Sequence, residues 1–178
     1  VAALGTSLTA GRLFSLLCAL ATAAVCAAAV WRRTRDAIAT AFGGAFFVCA
    51  YGICGHWIEQ VRNDALMALL IALGLWLSGR AMEKGRLPVA GGLALLLALY
   101  TKQTALFGAA AVTACLWTRS RRDAATWAGG FLGATLAVFL VMQVWSGGWF
   151  AFYTLKAPAN VGIEWAKHDL AATFFGTA

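Results

Sequence analysis

Charge is scarce in this chain. Asp, Glu, Lys and Arg make up only 12% of its 178 residues, about half the share that a soluble globular protein carries. Hydrophobic residues make up 62%, and the mean hydropathy is +0.78. This composition excludes an ordinary soluble domain and predicts an integral membrane protein.

Several patterns that signal known chemistry are also missing. No Asp or Glu precedes Asp36, no Ser, His, Asp order or Gly-rich phosphate loop appears, and no His, Cys, Asp and Glu set has metal-ligand spacing. We therefore predict no metal and no cofactor. The cysteines lie in apolar runs without paired C-x-x-C spacing, which favours small buried side chains over disulfides; they are Cys18, Cys26, Cys49, Cys54 and Cys115.

Apolar stretches separated by charged clusters predict an all-α, polytopic transmembrane bundle that forms a single domain over residues 1–178. Residues 1–12 are expected to form a loop, and residues 146–178 an extracytoplasmic or interfacial tail. Glycines at 43–44, 91–92 and in Gly129-x-x-x-Gly133 are expected to permit close helix packing. The predicted spans, about six, are 13–31, 38–58, 65–79, 87–101, 105–117 and 127–145.

The basic residues indicate a topology. Clusters at 32–35, 80–86 and 119–122 contain nine of the fourteen Lys and Arg. Six alternating spans put all three clusters on one side, which the positive-inside rule assigns to the cytoplasm. The net charge of +7 is explained in this way, so nucleic acid is not a predicted partner.

Lys102 lies between two apolar runs, 87–101 and 105–117, that are short for spans. Each makes a helix of roughly 20 Å, against a hydrocarbon core of about 30 Å. A hairpin of the two places Lys102 at its extracytoplasmic tip, somewhat below the membrane surface. An ionisable group at that depth is a functional-site hypothesis.

Other ionisable and polar residues are expected on the same side as Lys102. Lys and Arg bind phosphate, and a carboxylate can accept a proton from an attacking hydroxyl, so the set suits group transfer from a lipid phosphate. It comprises Arg12, His56, Glu59, Arg62, Asp64, Lys102 and Gln103, with Lys156, Lys167 and His168 on the tail.

Each of these residues also has a simpler interpretation. Asp64 precedes an apolar run and can be a helix N-cap. Glu59 and Arg62 can form a surface ion pair. Arg12 and Lys102 can extend to the lipid headgroups, and a histidine at position 56 is more often a helix-contact residue than a base.

Three motifs resemble bacterial polytopic glycosyltransferases of the GT-C class, within it the group of dolichyl-phosphate-mannose protein mannosyltransferases and aminoarabinose transferases. They are Gly11-Arg12-Leu13-Phe14-Ser15, Arg62-Asn63-Asp64-Ala65-Leu66 and Leu99-Tyr100-Thr101-Lys102-Gln103, and Gly147-Gly148-Trp149-Phe150 is also similar to its members. The resemblance implies an enzyme of the bacterial inner membrane. It would transfer a sugar from a polyprenyl-phosphate carrier to a lipid, glycan or protein acceptor at the extracytoplasmic face.

The resemblance also implies roles for single residues. Lys102 maps to the cation that binds the donor phosphate, with Arg62 or Arg12 beside it, and Asp64 maps to the acidic position of the later outer loop. The principal catalytic carboxylate of the family lies in its first outer loop and has no match here. We therefore expect an internal piece of a longer protein, with that loop upstream of Val1.

Two other classes of protein fit the composition. A transporter or flippase would favour polar groups near the bilayer midplane, whereas the ionisable groups here concentrate at span ends. A structural or assembly subunit would use Lys102 for folding only.

Overall fold

The computed structural model describes residues 8–49 and 63–156, and this part of the chain contains helices and no strand. The all-α fold predicted from the sequence is confirmed. A 3₁₀ turn, Gln103–Ala105, precedes α5, and the short turns Trp149–Ala151 and Phe152–Lys156 follow α6. The six longer helices are α1 (Leu8–Thr34), α2 (Ala37–Cys49), α3 (Asp64–Glu83), α4 (Val89–Thr101), α5 (Leu106–Trp117) and α6 (Arg121–Trp145).

Three of these helices extend beyond the predicted apolar stretches. The loop expected over residues 1–12 is wrong for its last five residues, because α1 begins at Leu8. Helix α3 continues through Arg80 to Glu83, and α6 begins at Arg121 rather than at Trp127. Arginine, lysine and glutamate are good helix formers, so a helix need not end where its apolar run ends.

Helices α1, α3 and α6 are long and apolar enough to cross a membrane, and within the described ranges α2, α4 and the segment Gln103–Trp117 are shorter apolar helices. The predicted second span, 38–58, lies outside the described residues beyond Cys49. The total of six spans stays a prediction.

Helix α3 contacts two helices that run in the same direction. Arg32 of α1 pairs with Glu83, and the Arg119 guanidinium donates to the carbonyl of Met82 at 2.9 Å. At the other end of α3, the Thr104 hydroxyl lies 3.3 Å from the Met67 sulfur. Thr104 and Arg119 lie just before and just after α5, and each contacts the α3 residue that lies 37 positions earlier in the chain. Helices α3 and α5 are therefore parallel.

Helices α3 and α4 pack closely in an antiparallel pair. A Cβ atom built on Gly91 would lie 2.0 Å from the Ser78 Oγ and 2.6 Å from the Gly74 carbonyl oxygen. One built on Gly74 would lie 2.6 Å from Leu95. Only residues without a side chain allow this approach, as predicted for Gly91. A Cβ on Gly92 would instead make an ordinary contact of 3.4 Å with Trp127.

The other glycines for which close packing is predicted differ in how near a neighbouring helix lies. A Cβ on Gly44 would lie 3.2 Å from the Ala23 carbonyl oxygen of α1, which supports the prediction of close packing there. A Cβ on Gly129 or Gly133 would meet no described atom within 4 Å, so for these two glycines close packing stays a prediction. The G-x-x-x-G spacing alone does not decide which face of α6 meets a neighbour.

Residues 1–134 form one compact unit and residues 135–178 form a second. In the second unit the chain turns after α6 through Gly147 and Gly148, whose φ angles are +61° and +96°. The Gln143 side chain holds this turn, donating to the Gly148 carbonyl at 3.1 Å and accepting from the Ala151 N–H at 2.8 Å.

Candidate functional site

The candidate site is built around Lys102, where α4 ends. Lys102 has extended backbone angles, with φ −160° and ψ 131°, and the chain re-enters a helical turn directly after it. The Thr101 hydroxyl donates to the Ala98 carbonyl at 2.6 Å, and the Ala105 N–H donates to the Lys102 carbonyl at 3.1 Å. These local bonds satisfy backbone groups at the break between α4 and α5.

Lys102 forms an ion pair with Asp64, the first residue of α3. The Lys102 ammonium donates to the Asp64 Oδ1. The lysine side chain is 43% exposed and the aspartate side chain 18%. The carboxylate is therefore held against the protein, while the lysine side chain retains exposed surface.

Asp64 is not the N-cap of α3. Asn63 occupies that position, and it makes no side-chain capping hydrogen bond. Asp64 lies instead in the first turn, where a negative charge interacts favourably with the helix dipole. A carboxylate at this place can stabilise the helix start and neutralise a cation of another helix at the same time.

The pairing also fixes the level of Lys102. Helix α3 has 20 residues, so it is about 30 Å long, close to the thickness of the hydrocarbon core. Since Asp64 is its first residue, Lys102 lies level with the end of a membrane-length helix. The sequence predicts that Lys102 lies below the membrane surface because the helices beside it are short. Its position beside Asp64 shows that a short α4 does not require this depth.

Arg12 belongs to the same end of the helices. The contact between Arg32 and Glu83 spans 51 residues between α1 and α3. Arg12, which is exposed, lies 20 residues before Arg32 in α1, and Asp64 lies 19 residues before Glu83 in α3, so both lie near the ends of the helices opposite this contact. We call this region, defined by Arg12, Asp64 and Lys102 with the adjacent Gln103, the Lys102 end.

The other predicted site residues stay predictions. His56, Glu59, Arg62, Lys167 and His168 lie outside the described residues, and Lys156 ends the described part of the second unit.

Sequence reasoning missed the contact between the hydroxyl of Thr104 and Met67, which lies one turn into α3. This contact could have been predicted from the pairing of Lys102 with Asp64. Once these two residues meet, the 3₁₀ turn after Lys102 lies beside the first turn of α3. The contact fixes the 3₁₀ turn against α3.

The opposite end of the same helices is strongly basic. Arg32 and Arg33 both pair with Glu83, the latter at 3.0 Å. Arginine lies over tryptophan in three places, with guanidinium-to-ring distances of 5.9 Å for Arg35 on Trp31, 5.1 Å for Arg80 on Trp76 and 5.5 Å for Arg121 on Trp117. We call this region, defined by residues 31–35, 76–84 and 117–122, the basic end.

Apolar helices, charged clusters at their ends and arginine on tryptophan define a polytopic α-helical membrane protein. Residues 1–146 match the sequence model of the family described as dolichyl-phosphate-mannose-protein mannosyltransferase. The chain belongs to this family, and so to the membrane glycosyltransferases of GT-C-like type. No curated protein and no solved structure matches the chain.

The match includes Arg12, Asp64, Lys102 and Gln103, and it ends just before Gly147. The family resemblance predicted from the motifs is therefore confirmed for the part of the chain that holds the Lys102 end. The motif at residues 147–150 lies outside the matched range.

Proposed function

We propose that the Lys102 end binds the phosphate of a polyprenyl-phosphate-linked sugar, and that the enzyme transfers this sugar to a lipid, glycan or protein acceptor on the extracytoplasmic side. The observation that carries the proposal is the ion pair of Lys102 with Asp64. It puts a partly exposed cation and a carboxylate together at the end of the helices opposite the basic end. The positive-inside rule assigns the basic end to the cytoplasm, in the bacterial case at the inner membrane.

The chemistry of the transfer needs a cation at this place. The bond between the anomeric carbon of the sugar and the phosphate oxygen breaks, and a bond from that carbon to the acceptor oxygen forms. Negative charge grows on the departing polyprenyl phosphate in the transition state. An ammonium beside that phosphate stabilises the transition state more than the ground state, which is the condition for catalysis.

The role of Asp64 follows from its contact with Lys102. Its carboxylate holds the ammonium in place before the donor arrives, and it is our candidate for accepting the proton that the acceptor hydroxyl loses. Arg12 is a second candidate for the phosphate, since a guanidinium forms paired hydrogen bonds with phosphate oxygens. Gln103 is a candidate for contacts with the sugar, and His56, Glu59 and Arg62 stay candidates from the sequence.

The test measures turnover of a polyprenyl-phosphate sugar by the purified full-length protein in lipid nanodiscs. Lys102→Gln is expected to lower kcat about a hundredfold, the scale on which loss of one charge-stabilising donor acts. Lys102→Arg keeps the charge and is expected to retain more activity. Lys84→Gln, which removes a lysine from the basic end, is the matched control and is expected to leave turnover unchanged.

Asp64→Asn separates the two roles of the carboxylate. A base cannot be replaced by an amide, so kcat is expected to fall if Asp64 accepts the proton, whereas a positioning role alone would mainly raise KM. Unchanged turnover in both Lys102→Gln and Asp64→Asn would remove these residues from the site.

A further inference from the structure

A groove of about 320 Å³ lies between α1 and α3 at the basic end. Its walls are apolar, with Val25 and Ala29 from one helix and Ala72 and Leu75 from the other. Its charged lining residues are Arg32, Arg33, Arg80 and Glu83. The groove therefore combines an apolar channel along the helices with a charged rim at their ends.

The rim has an excess of positive charge. Three guanidinium groups face one carboxylate, which leaves a net charge of +2. Arg32 and Arg33 share the two oxygens of Glu83, while Arg80 lies over the ring of Trp76. Each guanidinium has five N–H donors, far more in total than one carboxylate can accept, so the rim can donate to a further anion.

Trp76 also lines the groove, and the Arg80 guanidinium lies 5.1 Å from the centre of its ring. This cation–π contact holds Arg80 at the rim without using up its N–H donors.

We propose that this groove binds an anionic glycerophospholipid, with the phosphate on Arg32, Arg33 and Arg80 and an acyl chain along the apolar walls. Basic pockets between membrane helices on the cytoplasmic side suit such headgroups. The apolar walls favour a lipid over free phosphate. The groove is separate from the Lys102 end, since Asp64 and Glu83 lie at opposite ends of α3, about 28 Å apart along a helix.

The proposal predicts opposite effects for two kinds of variant. Arg33→Gln and Arg80→Gln each remove one cation from the rim and are expected to weaken binding of phosphatidylglycerol about fivefold. Glu83→Gln removes the anion that competes with the phosphate for Arg32 and Arg33, so it is expected to tighten binding. If the ion pair only stabilised the helices, all three variants would be expected to bind phosphatidylglycerol more weakly.

Native mass spectrometry of the full-length protein in detergent measures the bound lipid directly. Phosphatidylglycerol is compared with phosphatidylcholine of the same acyl chains, and Arg122→Gln is the matched control, because Arg122 is exposed at the same end and does not line the groove. Arg33 is 71% exposed, so its replacement leaves the helix packing intact and keeps the test valid if Arg80→Gln fails to fold.

The expected result is selective binding of phosphatidylglycerol that Arg122→Gln does not change. Equal binding of phosphatidylcholine, or an equal loss in Arg122→Gln, would overturn the proposal. So would displacement of the lipid by millimolar inorganic phosphate or by the soluble headgroup glycerophosphoglycerol, which would show a phosphate site rather than a lipid site. Weaker binding in Glu83→Gln would also contradict it.

Discussion

Gly91→Ala tests the packing that holds α4 against α3. The added Cβ would lie 2.0 Å from the Ser78 Oγ, 2.6 Å from the Gly74 carbonyl oxygen and 2.9 Å from the Ser78 backbone nitrogen. Two of these atoms belong to the backbone of α3, so they cannot rotate away as a side chain can. The two helices must therefore move apart along their contact.

The size of the effect follows from two opposing terms. Overpacking a tight contact costs about 1–3 kcal/mol and sometimes more, while alanine gains about 1 kcal/mol over glycine in a helix. Since the clash here involves backbone, we expect the upper part of this range and a net loss of about 2 kcal/mol. A lower thermal midpoint of the purified protein in detergent, followed by size-exclusion chromatography after heating, measures it.

Two further variants test whether the close contact with α3 causes the loss of stability in Gly91→Ala. Gly79→Ala also adds a methyl group to a helix, but no atom of residues 8–49 or 63–156 lies within 4 Å of the new Cβ, so the thermal midpoint should stay or rise. The double variant Ser78→Ala with Gly91→Ala removes only the hydroxyl clash and should remain less stable than the wild type. If Gly91→Ala melts at the temperature of Gly79→Ala, the close packing is refuted.

Three other local contacts give predictions of their own. Asp36→Ala removes hydrogen bonds of 2.7 and 3.1 Å to two backbone N–H groups at the start of α2 and should cost about 1 kcal/mol, seen as a lower thermal midpoint. Gln143→Ala frees the turn at Gly148, so amide hydrogen exchange over residues 147–151 should accelerate while that of α3 stays unchanged. Trp127→Phe removes the hydrogen bond of 3.3 Å to the Pro88 carbonyl and should lower stability by about 1 kcal/mol, whereas Trp145→Phe, an exposed position, should not.

The helices could be predicted because hydropathy alone locates apolar helices in a membrane protein. The residues at which the helices begin and end were harder to predict. The run that begins at Trp127 is apolar, yet α6 starts at Arg121, and Asp123 lies in its first turn. Apolar sequence reports where the hydrocarbon begins, whereas a helix continues for as long as its backbone hydrogen bonds can be made.

The members of the candidate site could be named from their type and their side of the membrane, but their contacts could not. Asp64 and Lys102 are 38 residues apart in the chain, and no local pattern specifies that their side chains meet. The contact depends on how α4 is placed along α3. That placement is set where Gly74, in the middle of α3, and Gly91, in the first turn of α4, allow the backbones to approach.

The same geometry explains why Lys102 and no neighbouring residue meets Asp64. A shift of α4 by one helical turn, about 5.4 Å, toward its own C-terminal end would bring Ala98 to the level of Asp64 and separate the carboxylate, which is 18% exposed, from this cation. Separating a largely buried carboxylate from its cation costs free energy, so the ion pair itself opposes the shift. Asp64 therefore contributes to helix register as well as to the proposed chemistry. A loss of activity in Asp64→Asn consequently supports a catalytic role only when the thermal midpoint of the variant is unchanged.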